Sequence, residues 1–227
     1  VSEYLSPAEL EELRKITTPT VSNAIETFKV RSRSEGFMDS SIRCMFPELG
    51  AMVGYACTAT IRAREPGPAP APWEVWEAIL NVPEPRVVVI QDLDAPDIVG
   101  SYWGEVNGSI HKALGCVGVV TDGGVRDLPE VRATGFHFFA SCVLVSHAYV
   151  HVVDFGCPVW VGGVTVNPGD LLHGDEHGVI SIPHEIAREI PRAAAEVEGR
   201  ERPIIDFCRS REFSADGLRR MLTGHTD

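Results

Sequence analysis

The chain has 227 residues, 44% of them hydrophobic, with a formal charge of −12 and an isoelectric point near 5.1. That length allows a sizeable core, and a single domain over 1–227 is the expectation. The acidic balance, without a clustered basic face, argues against nucleic acid as a partner; the lack of any apolar run approaching the ~20 residues of a bilayer span argues against a membrane, and an acidic N-terminus unlike a signal peptide points to the cytoplasm.

In chain order, Ser6 and Pro7 before AELEELRKI supply a capping hydroxyl, a proline at the first helical position and early acids, so a short helix is predicted there. Thr18-Pro19-Thr20 opens a second helix through VSNAIETF, and residues 52–63 read as a strand rich in small and branched side chains. The proline-rich stretch 67–72 is a surface loop. Helical spacing resumes at 73–80 with Trp73, Trp76 and Leu80 on one side, the side expected to pack in the core or an interface. RVVVIQ (86–91) is a buried strand, followed by a helix after Gly104, a strand at 117–120, a glycine-rich turn, a helix ended by Gly135, and a strand at 137–145. Residues 158–183 alternate strands with turns at Asn167–Asp170 and His177-Gly178, and a charged helical segment, about 184–227, is interrupted at Pro191 and Gly199. Six scattered cysteines include no pair at metal or redox spacing and are read as buried free thiols. Strands and helices in this order imply an α/β protein layered around a mixed sheet.

The most informative stretch is GEVNGSIHKALGCVGVVTDGGVRDLPE (104–130). Glu105 is followed by twenty residues, then Arg126 and Asp127, then after two more Glu130. A helix beginning at Glu105 presents backbone N–H groups to an anion, while carboxylates hold a hard divalent cation directly or through its waters. A carboxylate-bearing substrate and a metal are the combination these residue types suit.

Together with TPTVSNAI near the N-terminus and VGGVTVNPGDLLHGDEHGVISIP (161–183), this stretch resembles the family of the regulator of ribonuclease activity A. That family includes class II pyruvate aldolases acting on 4-hydroxy-4-methyl-2-oxoglutarate and 4-carboxy-4-hydroxy-2-oxoadipate. The resemblance implies a layered αββα sandwich with mixed β-sheets, assembled as a homotrimer or hexamer with sites between protomers. It also implies the aldolase branch, which carries the acid, the Arg-Asp pair and the final acid here occupied by Glu105, Arg126, Asp127 and Glu130. Ribonuclease-inhibiting relatives typically lack the last acid, so Glu130 favours the enzyme branch, and a non-catalytic ribonuclease-binding regulator is the alternative function. Two segments match nothing in the family pattern: the loop 67–72 and SHAYVHVV (146–153).

The implied reaction is cleavage of a 4-hydroxy-2-oxo acid to pyruvate and a second oxo acid, with oxaloacetate decarboxylation as a companion activity. Asp127 is the expected ligand of Mg²⁺ or Mn²⁺, with Glu105 acting through a water. Arg126 stabilises the developing enolate, and Gly104, Glu105, Val106, Asn107 and Arg126 form the expected substrate-binding set. Glu130 has a supporting role, and a metal-activated water is the expected base. Each has a plain competitor: a surface ion pair for Arg126 and Asp127, and a helix-dipole acid for Glu130. Asp92, Asp94 and Asp97 are read as turn residues before metal ligands, as are Asp170 and Asp175. His147 and His151 share one side of a strand but have no evident third ligand for zinc. A ligand donated by a neighbouring subunit would come from Glu196 or Glu198.

Overall fold

The computed structural model describes residues 4–223. Helix α1 (Pro7–Arg14) starts as predicted: Ser6 Oγ accepts from Glu9 N–H while the Glu9 carboxylate accepts from Ser6 N–H. Helix α2 (Thr18–Phe28) has no cap from its own Thr17. Asp175, 157 residues away, supplies one, accepting from Thr18 N–H at 2.8 Å.

Strand β1 (Arg43–Cys44) is short, and β2 (Met52–Arg62) is buried along almost its whole length. Helix α3 (Pro72–Leu80) turns Val75 and Ile79 inward. Trp73 is 62% exposed and Leu80 also faces out, while Trp76 is partly buried, so the stripe is not a core face and the core half of that expectation is corrected. Then follow β3 (Arg86–Asp92), α4 (Glu105–Ala113), β4 (Cys116–Val125), α5 (Leu128–Thr134) and β5 (His137–Val143). The expected glycine-rich turn at 122–125 is instead the end of β4, with a register shift between Thr121 and Gly124. Strand β6 (His151–Phe155) begins at His151, so His147 lies outside any strand and its ring N–H donates to the Ala148 carbonyl. The remaining strands are β7 (Val159–Val161), β8 (Val164–Val166), β9 (Leu171–Asp175) and β10 (Gly178–Ile182). Helix α6 (Ile190–Arg209) takes Pro191 into its first turn and runs unbroken past Gly199, where an interruption was expected; α7 (Ala215–Thr223) follows, and residues 224–227 of the helical segment lie outside the described residues.

Eight strands form one mixed sheet, ordered β1-β5-β4-β3-β2-β9-β10, with β6 also paired to β2; β7 and β8 form a separate ribbon. Strands β2 to β5 are mutually parallel in the order β2-β3-β4-β5, so their C-terminal ends share one rim. The segment before β1 hydrogen-bonds to the β10 edge, where Met38 N–H donates to the Val179 carbonyl. Strand β1 itself pairs with β5 at the opposite edge. One stretch of chain thus nearly closes the sheet into a barrel-like shape. The mixed α/β character agrees with expectation, but the β layers are walls of one curled sheet carrying a ribbon, not two independent sheets.

Apolar packing follows this curl. Val87, Val89, Val120, Phe139 and Leu172 fill the interior together with Val159, Val161 and Val166 of the ribbon. Outside, β2 to β5 pack against α3, α4 and α5 through Val75, Ile79, Trp103, Val131 and Phe136, whereas α1, α2 and α6 cover β9 and β10. Among the described residues no helix is long and apolar enough to cross a membrane. All six cysteines are free; Cys57 and Cys116 are buried, Cys44, Cys142 and Cys157 partly so, and Cys208 is exposed, which corrects the uniform burial expected.

Candidate active site

Glu105 and the Arg126-Asp127 pair follow adjacent parallel strands, so the sheet brings them together across twenty residues of sequence. The chain after β3 returns to the end of β4, where Trp103 forms a parallel bridge with Val125. Arg126 N–H donates to the Trp103 carbonyl at 3.0 Å. Ser101 fixes this junction, its hydroxyl bonding the carbonyls of both Trp103 and Gly124 at 2.7 Å. Trp103 itself is fully buried against Phe136 and His111.

At that junction Asp127 adopts a left-handed conformation (φ 54°, ψ 43°), uncommon for a residue with a side chain. It occupies the position before α5 without capping that helix. Its Oδ2 accepts from Glu105 N–H, the first amide of α4, at 3.0 Å, and lies 3.8 Å from Arg126 Nε. Gly104 makes the approach possible: a Cβ there would stand 2.4 Å from Asp127 Oδ2 and 3.2 Å from Arg126 Cγ and Nε. Both charged side chains remain about one-third exposed.

Asp127 therefore occupies one of the three amides expected to receive the substrate. The amides of Val106 and Asn107 have no protein partner among the described residues, and the Asn107 side chain donates to the Tyr102 carbonyl at 2.6 Å. The side chains of Glu105 and Glu130 are exposed and make no ion pair among the described residues. A bridge from Glu130 to Arg126 is thus absent from the described contacts. No group of three or more His, Cys, Asp or Glu side chains is gathered to enclose a metal among the described residues. A hard cation that keeps most of its waters needs only one or two carboxylates, and Asp127 Oδ1, free of protein partners among the described residues, together with Glu105 fits that donor set.

Other candidates are placed differently. Asp92 is buried, not solvated: its Oδ1 accepts from Asp94 N–H, its own N–H donates to Asp122 Oδ1 at 2.7 Å, and its Oδ2 has no partner. Burial raises the pKa of both acids, Asp122 to about 6. Asp94 holds the turn after β2, accepting from the amides of Ala63 and Arg64. Asp170 closes its predicted turn by accepting from Asn167 N–H. Asp175 does more than form a turn, tying His177 N–H as well as α2 to β9. The two unmatched segments meet in space: Gly67 lies against the His151 ring, beside a cleft of about 480 Å³ that also contains Arg62, Arg64 and Asp94. Glu196 is held by Arg192 at 2.6 Å, while Glu198 is exposed.

Residues 18–181 match the RraA-like family model described as Aldolase/RraA. A protein of Halalkalibacterium halodurans named "Putative 4-hydroxy-4-methyl-2-oxoglutarate aldolase" is 33% identical over 127 residues, 54% of this chain and 60% of that protein. The chain spans less than two thirds of the length of the curated relatives it matches, from 18% to 60%. An uncharacterized protein from Pseudomonas syringae pv. tomato str. DC3000 has a similar fold, with a TM-score of 0.75 at 23% identity over 99% of this chain and 98% of that one. RraAS2 of Streptomyces coelicolor, described as an unusual member of the RNase ES inhibitor RraA protein family, superposes with a TM-score of 0.71 at 23% identity, covering 88% of this chain and 97% of its own.

Proposed function

The chain belongs to the RraA-like family, and we propose that it is a divalent-metal-dependent aldolase, a class II pyruvate aldolase that cleaves a 4-hydroxy-2-oxo acid such as 4-hydroxy-4-methyl-2-oxoglutarate to pyruvate and a second oxo acid. The observation that supports this reading most is the Asp127 carboxylate seated on the first amide of α4 beside Arg126, in space that only glycine at 104 leaves open.

In a retro-aldol cleavage the C4 hydroxyl loses its proton, the C3–C4 bond breaks, and its electron pair passes through C3 to the C2 carbonyl oxygen. The products are a C4 carbonyl and the enolate of pyruvate, which then takes a proton at C3. Most of the barrier is the negative charge gathering on the C2 oxygen, so a fixed cation beside that oxygen acts where the charge develops. Arg126, permanently charged and tethered through its backbone to Trp103, serves that role. The amides of Val106 and Asn107 hold the substrate carboxylate at the positive end of α4. Glu105, on the exposed first turn, receives the C4 hydroxyl proton through a water.

Asp127 would hold Mg²⁺ or Mn²⁺ directly and Glu105 through a water; bound there, the ion supplies Lewis-acid polarisation of the ketone, worth several kcal/mol. Glu130 supports the pocket's negative edge. Oxaloacetate decarboxylation proceeds through the same enolate and is expected as a companion activity. The family resemblance implies a homotrimer or hexamer, in which a neighbouring copy would complete the open, partly exposed surface around Arg126 and Asp127.

The test is pyruvate release coupled to lactate dehydrogenase, across a panel of oxo acids with and without Mg²⁺. Turnover is expected to vanish on chelation, to return with Mg²⁺ or Mn²⁺, and to be lost in Arg126→Ala and Asp127→Ala proteins that retain their fold. Unchanged turnover in either variant overturns the assignment. Tight inhibition of an endoribonuclease without metal-dependent pyruvate release points to the regulator instead.

A further inference from the structure

Side chains inside the curled sheet change character at the rim where β2 to β5 end. Val87, Val89, Val120 and Phe139 lie in the interior core. Two residues further along each strand the same face carries Gln91, Asp122 and Ser141, because strand side chains repeat with period two. An apolar core would have continued with branched side chains. Instead Asp122 and Ser141 open into a cleft of about 560 Å³, bounded by Pro96 and Ile98 on one wall, Asp39 on another, and Trp160 of the ribbon. Gln91 fixes this ribbon, its Oε1 accepting from Trp160 N–H at 3.0 Å, while the indole remains 58% exposed.

We propose that this mouth is a second binding site, separate from the Arg126-Asp127 constellation, for a small primary ammonium ion carrying an apolar tail. Charge selects the ligand class: Asp39 and Asp122 line the cleft, and no Lys, Arg or His does. Asp122 Oδ1 is occupied by Asp92 N–H, but Oδ2 has no protein partner among the described residues. The Ser141 hydroxyl donates its proton to the carbonyls of Asp122 and Gly123, leaving its oxygen to accept. A carboxylate oxygen and a hydroxyl oxygen suit the N–H groups of a primary ammonium, with the indole and the Pro96 and Ile98 wall left for its tail. At neutral pH Asp122 is mostly ionised even though burial lifts its pKa to about 6.

The experiment is titration of the full chain with benzylammonium chloride, followed by the indole N–H resonance of Trp160, assigned by its loss in Trp160→Phe. Saturable movement of that resonance is expected, with benzyl alcohol causing none. Asp122→Asn should weaken binding by about tenfold or more, the scale of one charge-assisted hydrogen bond. Trp160→Ala, a change on the exposed ribbon, should weaken it as well and tests the proposal if Asp122→Asn fails to fold. Equal binding of the neutral alcohol, or undiminished affinity in a folded Asp122→Asn or Trp160→Ala protein, overturns the proposal. Pyruvate release is measured separately, so neither result bears on the aldolase reading.

Discussion

Replacing Gly104 with alanine isolates the geometry of the candidate active site from its chemistry. The φ of −160° at this position is extended backbone that alanine adopts readily, so no backbone strain opposes the change. The added methyl, however, would stand 2.4 Å from Asp127 Oδ2. Only the end of a short side chain has to move, and the expected loss of stability is about 1 kcal/mol, or a Tm lower by about 2–4 °C. Function should suffer more. To escape, the carboxylate must give up the 3.0 Å bond from Glu105 N–H, a charge-assisted contact worth about 1.5–3 kcal/mol, and its place beside Arg126. A shift approaching 1 Å in a reacting constellation lowers turnover by about a hundredfold. The assay is metal-dependent pyruvate release, with thermal unfolding measured on the same preparation. Because the clash is with the Asp127 carboxylate, the Tm loss caused by Gly104→Ala should largely disappear in an Asp127→Ala background. Near wild-type turnover in the single variant, or an undiminished Tm loss in the double variant, would refute the reasoning.

Asp127→Gly relieves a left-handed aspartate, a conformation costing about 1–2 kcal/mol, so the variant should lose activity while its Tm falls by no more than about 2 °C; a collapse in Tm would contradict this. Asp122 has a folded pKa raised to about 6 by burial, with Asp92 on the adjoining strand as its nearest acid. An acid raised in this way makes the fold progressively less stable as pH climbs from about 4 to 6, by at most about 3 kcal/mol. Asp122→Asn should therefore raise the Tm at pH 7.5 but not at pH 4, and equal shifts at both would dismiss the burial argument. Asp175 behaves oppositely: desolvation pushes its pKa up, but hydrogen bonds from Thr18 and His177 outweigh it and hold the pKa below the ordinary value. Its contribution is present above the unfolded pKa of about 3.9 and is lost as pH falls through the lower folded value. Asp175→Ala should accordingly cost about 1–3 kcal/mol in urea unfolding at pH 7 and much less below pH 3.

Local signals were legible wherever a short-range physical cause fixes the chain. Ser6 with Pro7 and Glu9, the glycine after α5, the buried run at β3 and the turn at Asn167–Asp170 all form as their residue types dictate. Errors arose where packing chose between near-equal patterns. Helix α3 has large apolar groups on two sides, and contact with β2 selects Val75 and Ile79 over the tryptophans, with Cys57 Sγ reaching the Ile79 carbonyl. Gly199 and Pro203 both fall within α6, whose inner face of Ile190, Ala193, Ala194 and Val197 is buried against its neighbours. Long-range partners left no local trace: nothing near Thr18 announces that Asp175 caps its helix. Nor does the neighbourhood of Asp92 announce that it is buried beside Asp122.

The glycines at 123 and 124 show how a misread element still carries Arg126 and Asp127 to the start of α4. Read as a turn, DGG would be a flexible tether for Arg126 and Asp127. As the end of β4 it is a fixed rail, since Gly124 pairs with Cys142 and Val125 with Val143. Glycine is required there by close approach and not by turn conformation: a Cβ on Gly123 would stand 3.0 Å from Asp92 Oδ2, and one on Gly124 2.5 Å from the Leu144 side chain. The same small residues thus let the Asp92–Asp122 pair sink into the rim and let β4 continue to Arg126. Between them Ser101 holds the Gly124 carbonyl to that of Trp103, so the backbone that carries Arg126 is set by strand pairing on one side and by the chain entering α4 on the other. The electrostatic role proposed for Arg126 benefits from that anchored backbone, because a cation that must reorganise toward a developing charge forfeits much of its advantage over water.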